Sequence, residues 1–128
     1  MKLLLELLFA LNFSLILLHE MDAIRQKEWK MFIFLKDMKE DVAYWIFTVI
    51  HLPLYFAVIV LLLSGDGKYQ MTLSIGLDIF IVFHTIIHYV FKNKINNGFN
   101  NIFSNLIINT GCIISLLHIS IYFKLIVK

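Results

Sequence analysis

The sequence predicts an all-α integral membrane protein, a four-helix up-down bundle, on three observations. Apolar residues make up 60% of the 128 and charged residues only 16%, against about 45–50% and about 25% in an ordinary soluble domain. They gather into four long runs, Leu3 to Leu18, Val42 to Leu63, Tyr69 to Phe91 and Ile102 to Val127, where roughly 18 apolar residues already mark a candidate span. Short polar segments separate the runs, so consecutive helices fold back on one another. A core of this size cannot bury so much apolar surface against itself, and lipid has to be the solvent for part of it.

The first span covers about residues 3–21. One lysine before an apolar run gives it the outline of a signal peptide, but Glu6 and Asn12 interrupt the run and no small-x-small cleavage site precedes His19. It is expected to be retained as a helix. The segment from Ala23 to Asp41 mixes charges with Trp29, Met31, Phe32, Phe34 and Leu35. That mixture suits a helix lying in the membrane interface between spans one and two, its aromatics toward the headgroups. A solvated connector is the plainer alternative. In a plain reading of the end of span one, Glu20 and Lys27, or Glu28 and Arg25, pair on an exposed helix surface.

The second span, 42–64, is expected to start at Asp41 as N-cap. It carries His51-Leu52-Pro53. The proline withholds an amide from the carbonyl of Val49 and is expected to bend the helix beside an ionisable side chain. Ser64-Gly65-Asp66-Gly67 is a turn by composition, so the third span, 69–91, packs back on the second. The loop 92–98 leads to the fourth span, 101–126. Residues 1–128 form a single transmembrane domain without repeats.

Lysine and arginine placement sets the expected orientation. Arg25, Lys27, Lys30, Lys36, Lys39, Lys92 and Lys94 fall on one side, and Lys2, Lys68, Lys124 and Lys128 on the other. Loops 22–41 and 92–98 are therefore expected in the cytoplasm, both termini outside, in the cytoplasmic (inner) membrane as a multi-pass protein.

Function classes narrow by exclusion. The formal net charge of +2 is too small and too scattered for nucleic-acid binding. One cysteine, Cys112, makes neither an intrachain disulfide nor a thiolate cluster. No glycine-rich phosphate loop and no HExxH occurs, and no catalytic residue can be assigned.

What remains is an unusual set of ionisable residues in apolar surroundings, where each costs roughly 2.5–3.5 kcal/mol. His84 and His88, four apart, share one helix face at the spacing two imidazoles need to ligate one metal. His51 lies roughly 15 Å along its own span, in the same half of the bilayer. His19, Glu20 and Asp22 close the first span on that side. The candidate metal ligands are thus His84, His88, His51, Glu20, His19 and Asp22, for a divalent transition metal with imidazole and carboxylate donors, or for proton handling. Asp78 lies about 120° around the helix from His84, a poorer partner, and His118 falls apart in the opposite half.

Two further readings come from other classes. His51 with His84 or His88 is the natural pair for a bis-histidine haem between helices, in a redox subunit. The third reading is non-catalytic: a membrane partner or assembly subunit, or a homo-oligomer in lipid, with the histidines as interhelical polar contacts.

The stretches His19-Glu20-Met21-Asp22-Ala23-Ile24-Arg25 and Lys27-Glu28-Trp29-Lys30-Met31-Phe32, with His51-Leu52-Pro53-Leu54 and Asp78, His84 and His88, resemble small, uncharacterised bacterial four-span membrane families with a His-Glu motif at the end of the first helix. The resemblance covers most of the chain. It implies that these polar positions form one unit, and it carries no activity or cofactor with it.

Overall fold

The structure, a computed structural model, describes residues 2–91 and 101–126. Four helices account for nearly all of them: α1 Lys2–Gln26, α2 Glu40–Leu63, α3 Gly67–Phe91 and α4 Ile102–Ile126. All four are long and apolar enough to cross a membrane.

The up-down arrangement can be read from the bonds between helices. Asn12 of α1 reaches Ser115 of α4 while Asp22, ten residues on, reaches Ser104, so α1 and α4 are antiparallel. Asp78 meets His118 and Tyr89 meets Asn109, so α3 and α4 are antiparallel as well. Asn12 with Asp78 and His19 with His84 show α1 and α3 running the same way. Helix α4 packs against both α1 and α3, whereas α2 leans on α3 and on the connection that follows α1.

Local chemistry explains the helix ends. Gly65 ends the α2 side of the hairpin with φ 68°, a left-handed conformation that glycine adopts without a Cβ penalty. The Asp66 carboxylate accepts from the Lys68 amide at 2.8 Å and caps α3, which begins at Gly67, two residues before the expected start. Asn101 caps α4 by accepting from the Ser104 amide at 2.8 Å. The second span departs from expectation at its start. Lys39, not Asp41, is the cap residue, and its side chain makes no capping bond. Glu40 and Asp41 instead lie in the first turn, where their charge opposes the helix dipole. Helix α2 continues through Pro53.

The connection between α1 and α2 is also not an interfacial helix. Helix α1 runs on to Gln26, and Lys27 takes φ 57°, ψ 50° before one turn of 3-10 helix, Glu28–Met31. Turns then lead on to α2. Trp29 is anchored inward among Ala23, Ala43 and Phe47, with Leu35 packed on them, while Phe32, Ile33 and Phe34 remain exposed. The second loop, 92–98, lies outside the described residues.

The interior inverts the soluble pattern. Polar and ionisable side chains, Asn12, His19, Asp22, Glu28, Asp78, His88 and His118 among them, are buried between helices, while large aliphatic and aromatic residues cover the outside of all four. Such an arrangement is favoured when the surrounding solvent is as apolar as leucine and only polar groups gain by facing inward.

Candidate metal centre

Three histidine nitrogens and one carboxylate converge where α1 ends and α3 nears its own end. His19 Nε2 stands 2.8 Å from His84 Nε2, and His84 Nε2 stands 3.0 Å from His88 Nε2. Glu28 closes the group: Oε1 is 2.9 Å from His88 Nε2 and 3.4 Å from His84 Nε2, and Oε2 is 3.4 Å from His19 Nε2. One donor atom from each of the four residues lies within 4.8 Å of all the others. His19, Glu28 and His88 are buried and His84 half-buried.

Helix geometry and one unusual backbone angle bring these groups together. His84 and His88 are adjacent on α3 because residues four apart share a face. His19 comes from the parallel helix α1 at the same level. Glu28 arrives by chain reversal: had α1 continued, nine residues at 100° each would set it about 180° from His19. The left-handed Lys27 breaks the helix and turns the 3-10 segment back over its end. Trp29, buried beside Glu28, fixes that turn against Ala43 and Phe47.

Valence limits what can fill the centre. Each Nε2 has one in-plane position, either an N–H or a lone pair, yet His84 Nε2 faces His19, His88 and Glu28 at once. A proton on one nitrogen serves one of these contacts. A cation at the centre serves all four donors. With bonds of about 2.0–2.1 Å, tetrahedral donors stand about 3.3 Å apart; the contacts here, taken over both Glu28 oxygens, run from 2.8 to 3.4 Å, and one donor atom per residue gives a set within 4.8 Å. Burial pushes the Glu28 carboxyl up, but the His19 and His88 imidazoles outweigh burial and hold it below the usual carboxylate range. Its negative charge is therefore in place at neutral pH. Two buried polar atoms here make no hydrogen bond among the described residues, Glu28 Oε2 and His19 Nδ1. The first is one of the atoms that would turn to an ion.

The six residues proposed as ligands from the sequence separate into three places. His19, His84 and His88 come together. Glu20 and His51 form their own pair, with His51 Nε2 2.9 Å from Glu20 Oε2. His51 Nδ1 lies 2.6 Å from the Phe47 carbonyl, to which it donates. With that nitrogen committed, the contact to Glu20 needs one more proton, on Nε2 or on the carboxylate, so the pair holds it jointly. Asp22 is turned to α4, accepting from Ser104 Oγ and, at 3.2 Å, from Gln26. His51, Glu20 and Asp22 are thus outside the group. The haem arrangement needs His51 opposite His84 or His88, and His51 faces Glu20 instead.

Glu28 was not among the expected ligands. Its sequence signal is slight, an acid followed by tryptophan in a charged segment, and the reversal at Lys27 that aims it inward leaves no mark in hydropathy. His118 does lie apart, as expected, but it is not alone. Its Nδ1 donates to Asp78 Oδ2 at 2.5 Å, and Asn12 Nδ2 donates to Asp78 Oδ1 at 2.9 Å and to Ser115 Oγ at 2.7 Å.

Fold and site together define a small four-helix protein of apolar exterior with a buried His/Glu group able to hold a metal ion. The chain belongs to a family of unknown function, DUF6713, whose sequence profile matches residues 5–125. No curated protein and no solved structure matches it.

Proposed function

We propose that this protein is a multi-pass membrane protein that holds one divalent transition-metal ion through His19, Glu28, His84 and His88. The observation that carries this reading is the convergence of three imidazole Nε2 atoms and one carboxylate at 2.8–3.4 Å, three of the four residues being buried. Three imidazole nitrogens with one carboxylate favour zinc, with other imidazole-binding metals next. Four protein donors leave no open coordination position, which suits holding or handing on an ion rather than activating a metal-bound water. The centre sits at the end of the bundle that bears the lysine-rich connection after α1, and the charge rule assigns that end to the cytoplasm.

Metal analysis of the purified chain and of His84→Ala tests the proposal. About one equivalent of zinc in the wild type, lost in the variant, supports it. Sub-stoichiometric metal in both overturns it.

A further inference from the structure

The bundle buries a second ionisable group that the metal centre does not use. Asp78 and His118 are 1% and 2% exposed, and Asp78 Oδ2 lies 2.5 Å from His118 Nδ1. The groups packed around them are neutral, Asn12 from α1 and Ser115 from α4. Toward the other end of the bundle, a cleft of about 350 Å³ is lined by His118 together with Lys2, Glu6, Gln70, Ser74 and Tyr122. These supply the charged and titratable side chains on that side, namely Lys2, Glu6 and Tyr122. Of the buried pair, His118 borders this cleft.

Charge bookkeeping gives the pair a role. An ionised Asp78 beside a neutral His118 leaves one unbalanced negative charge between apolar helices. One added proton brings the pair to neutrality, the form that burial favours. A divalent ion adds two positive charges to the metal centre, less any protons that its imidazoles release on binding it. Asp78 and His84 are six residues apart on α3, about 9 Å along the axis. Beside the metal centre lies a narrow crevice lined in part by His19, His84, Ile81 and Gly111. The unpartnered Oδ1 of Asn12 sits beside Gly111, 3.6 Å from where a Cβ there would stand. Asn12 thus holds Asp78 through its amide N–H while its carbonyl oxygen stands near Gly111 of that crevice.

We infer that Asp78 and His118 form a proton-binding site linked to the metal centre, giving up a proton when the cation enters and regaining it when the cation leaves. The inference rests on the metal reading proposed above. Unit charges about 9 Å apart in an effective dielectric of about 20 couple by roughly twentyfold in affinity, so a divalent ion couples by at least tenfold.

The test is the dissociation constant of the full chain in detergent for Zn2+, measured from pH 6 to pH 8.5, for the wild type and for Asp78→Asn. Only the wild type can gain a negative charge by losing the proton. The variant is therefore expected to bind at least tenfold more weakly at the alkaline end, with the two curves converging at the acidic end. Parallel curves overturn the linkage and leave the metal centre standing, whereas absence of zinc binding in the wild type overturns both. If Asp78→Asn does not fold, nitrogen-15 NMR of the wild-type histidines replaces it. At one fixed pH the His118 ring-nitrogen shifts are expected to move toward the proton-poor form on adding Zn2+, and unmoved shifts overturn the inference.

Discussion

Glu28 Oε1 stands 2.9 Å from His88 Nε2, a contact between residues sixty apart in sequence. It ties the connection after α1 to the far part of α3 and completes a donor set that the helices alone leave one short. Glu28→Gln keeps the shape of the side chain and removes its charge. Loss of one anionic donor is expected to weaken zinc binding by at least the 10–100-fold typical of outer-shell changes. A titration against a competing chelator measures it, and an affinity equal to wild type would exclude Glu28 as a ligand.

Lys27 is the one described non-glycine residue with positive φ, and its ammonium pairs with Glu40. A β-branched residue tolerates the left-handed region poorly, at a cost of about 1–3 kcal/mol. Lys27→Ile is expected to displace Glu28 and lower zinc affinity, whereas Lys27→Gly keeps the turn, loses an exposed ion pair of little worth and retains the affinity. Equal behaviour of the two variants would show that the turn does not set the site.

Much of this fold is legible in the sequence because lipid demands long apolar helices, and the four runs appear directly in composition. The His84–His88 pair is legible for the same reason, since helical periodicity alone makes them neighbours. Glu28 and the separation of His51 from the group are not. One depends on a single backbone angle at Lys27, the other on the face α2 turns toward α1, and neither changes hydropathy. Asp78 looked a poor partner because its angle was judged against His84 on its own helix, while its true partner, His118, comes from α4.

The Glu20–His51 pair is separate from the metal group, and that separation can be tested. His51→Leu leaves a half-buried carboxylate without its partner, an expected cost of about 1–3 kcal/mol. His51→Gln, which can still donate to Glu20, is expected to recover part of it. Thermal unfolding in detergent measures both. Zinc stoichiometry is expected to stay at one throughout, and its loss in both variants would place His51 in the centre after all.

Gly111 lets α4 approach α1 and α3. A Cβ there would stand 3.3 Å from Ile81 Cγ2 and 3.6 Å from Asn12 Oδ1, close enough that Ala needs only a small shift of Ile81. Gly111→Val adds bulk with nowhere to go and is expected to cost about 1–3 kcal/mol. A melting temperature for Gly111→Val matching that of Gly111→Ala would show the crevice to be looser than this geometry implies.

The central claim is that one ion is held by three imidazoles and a carboxylate, and X-ray absorption at the zinc edge of the loaded protein tests it most directly. The expected spectrum shows four nitrogen and oxygen neighbours at about 2.0–2.1 Å, with the outer-shell scattering of three imidazole rings. A sulfur neighbour, or a shell of six oxygens without ring scattering, would contradict the His19–Glu28–His84–His88 centre.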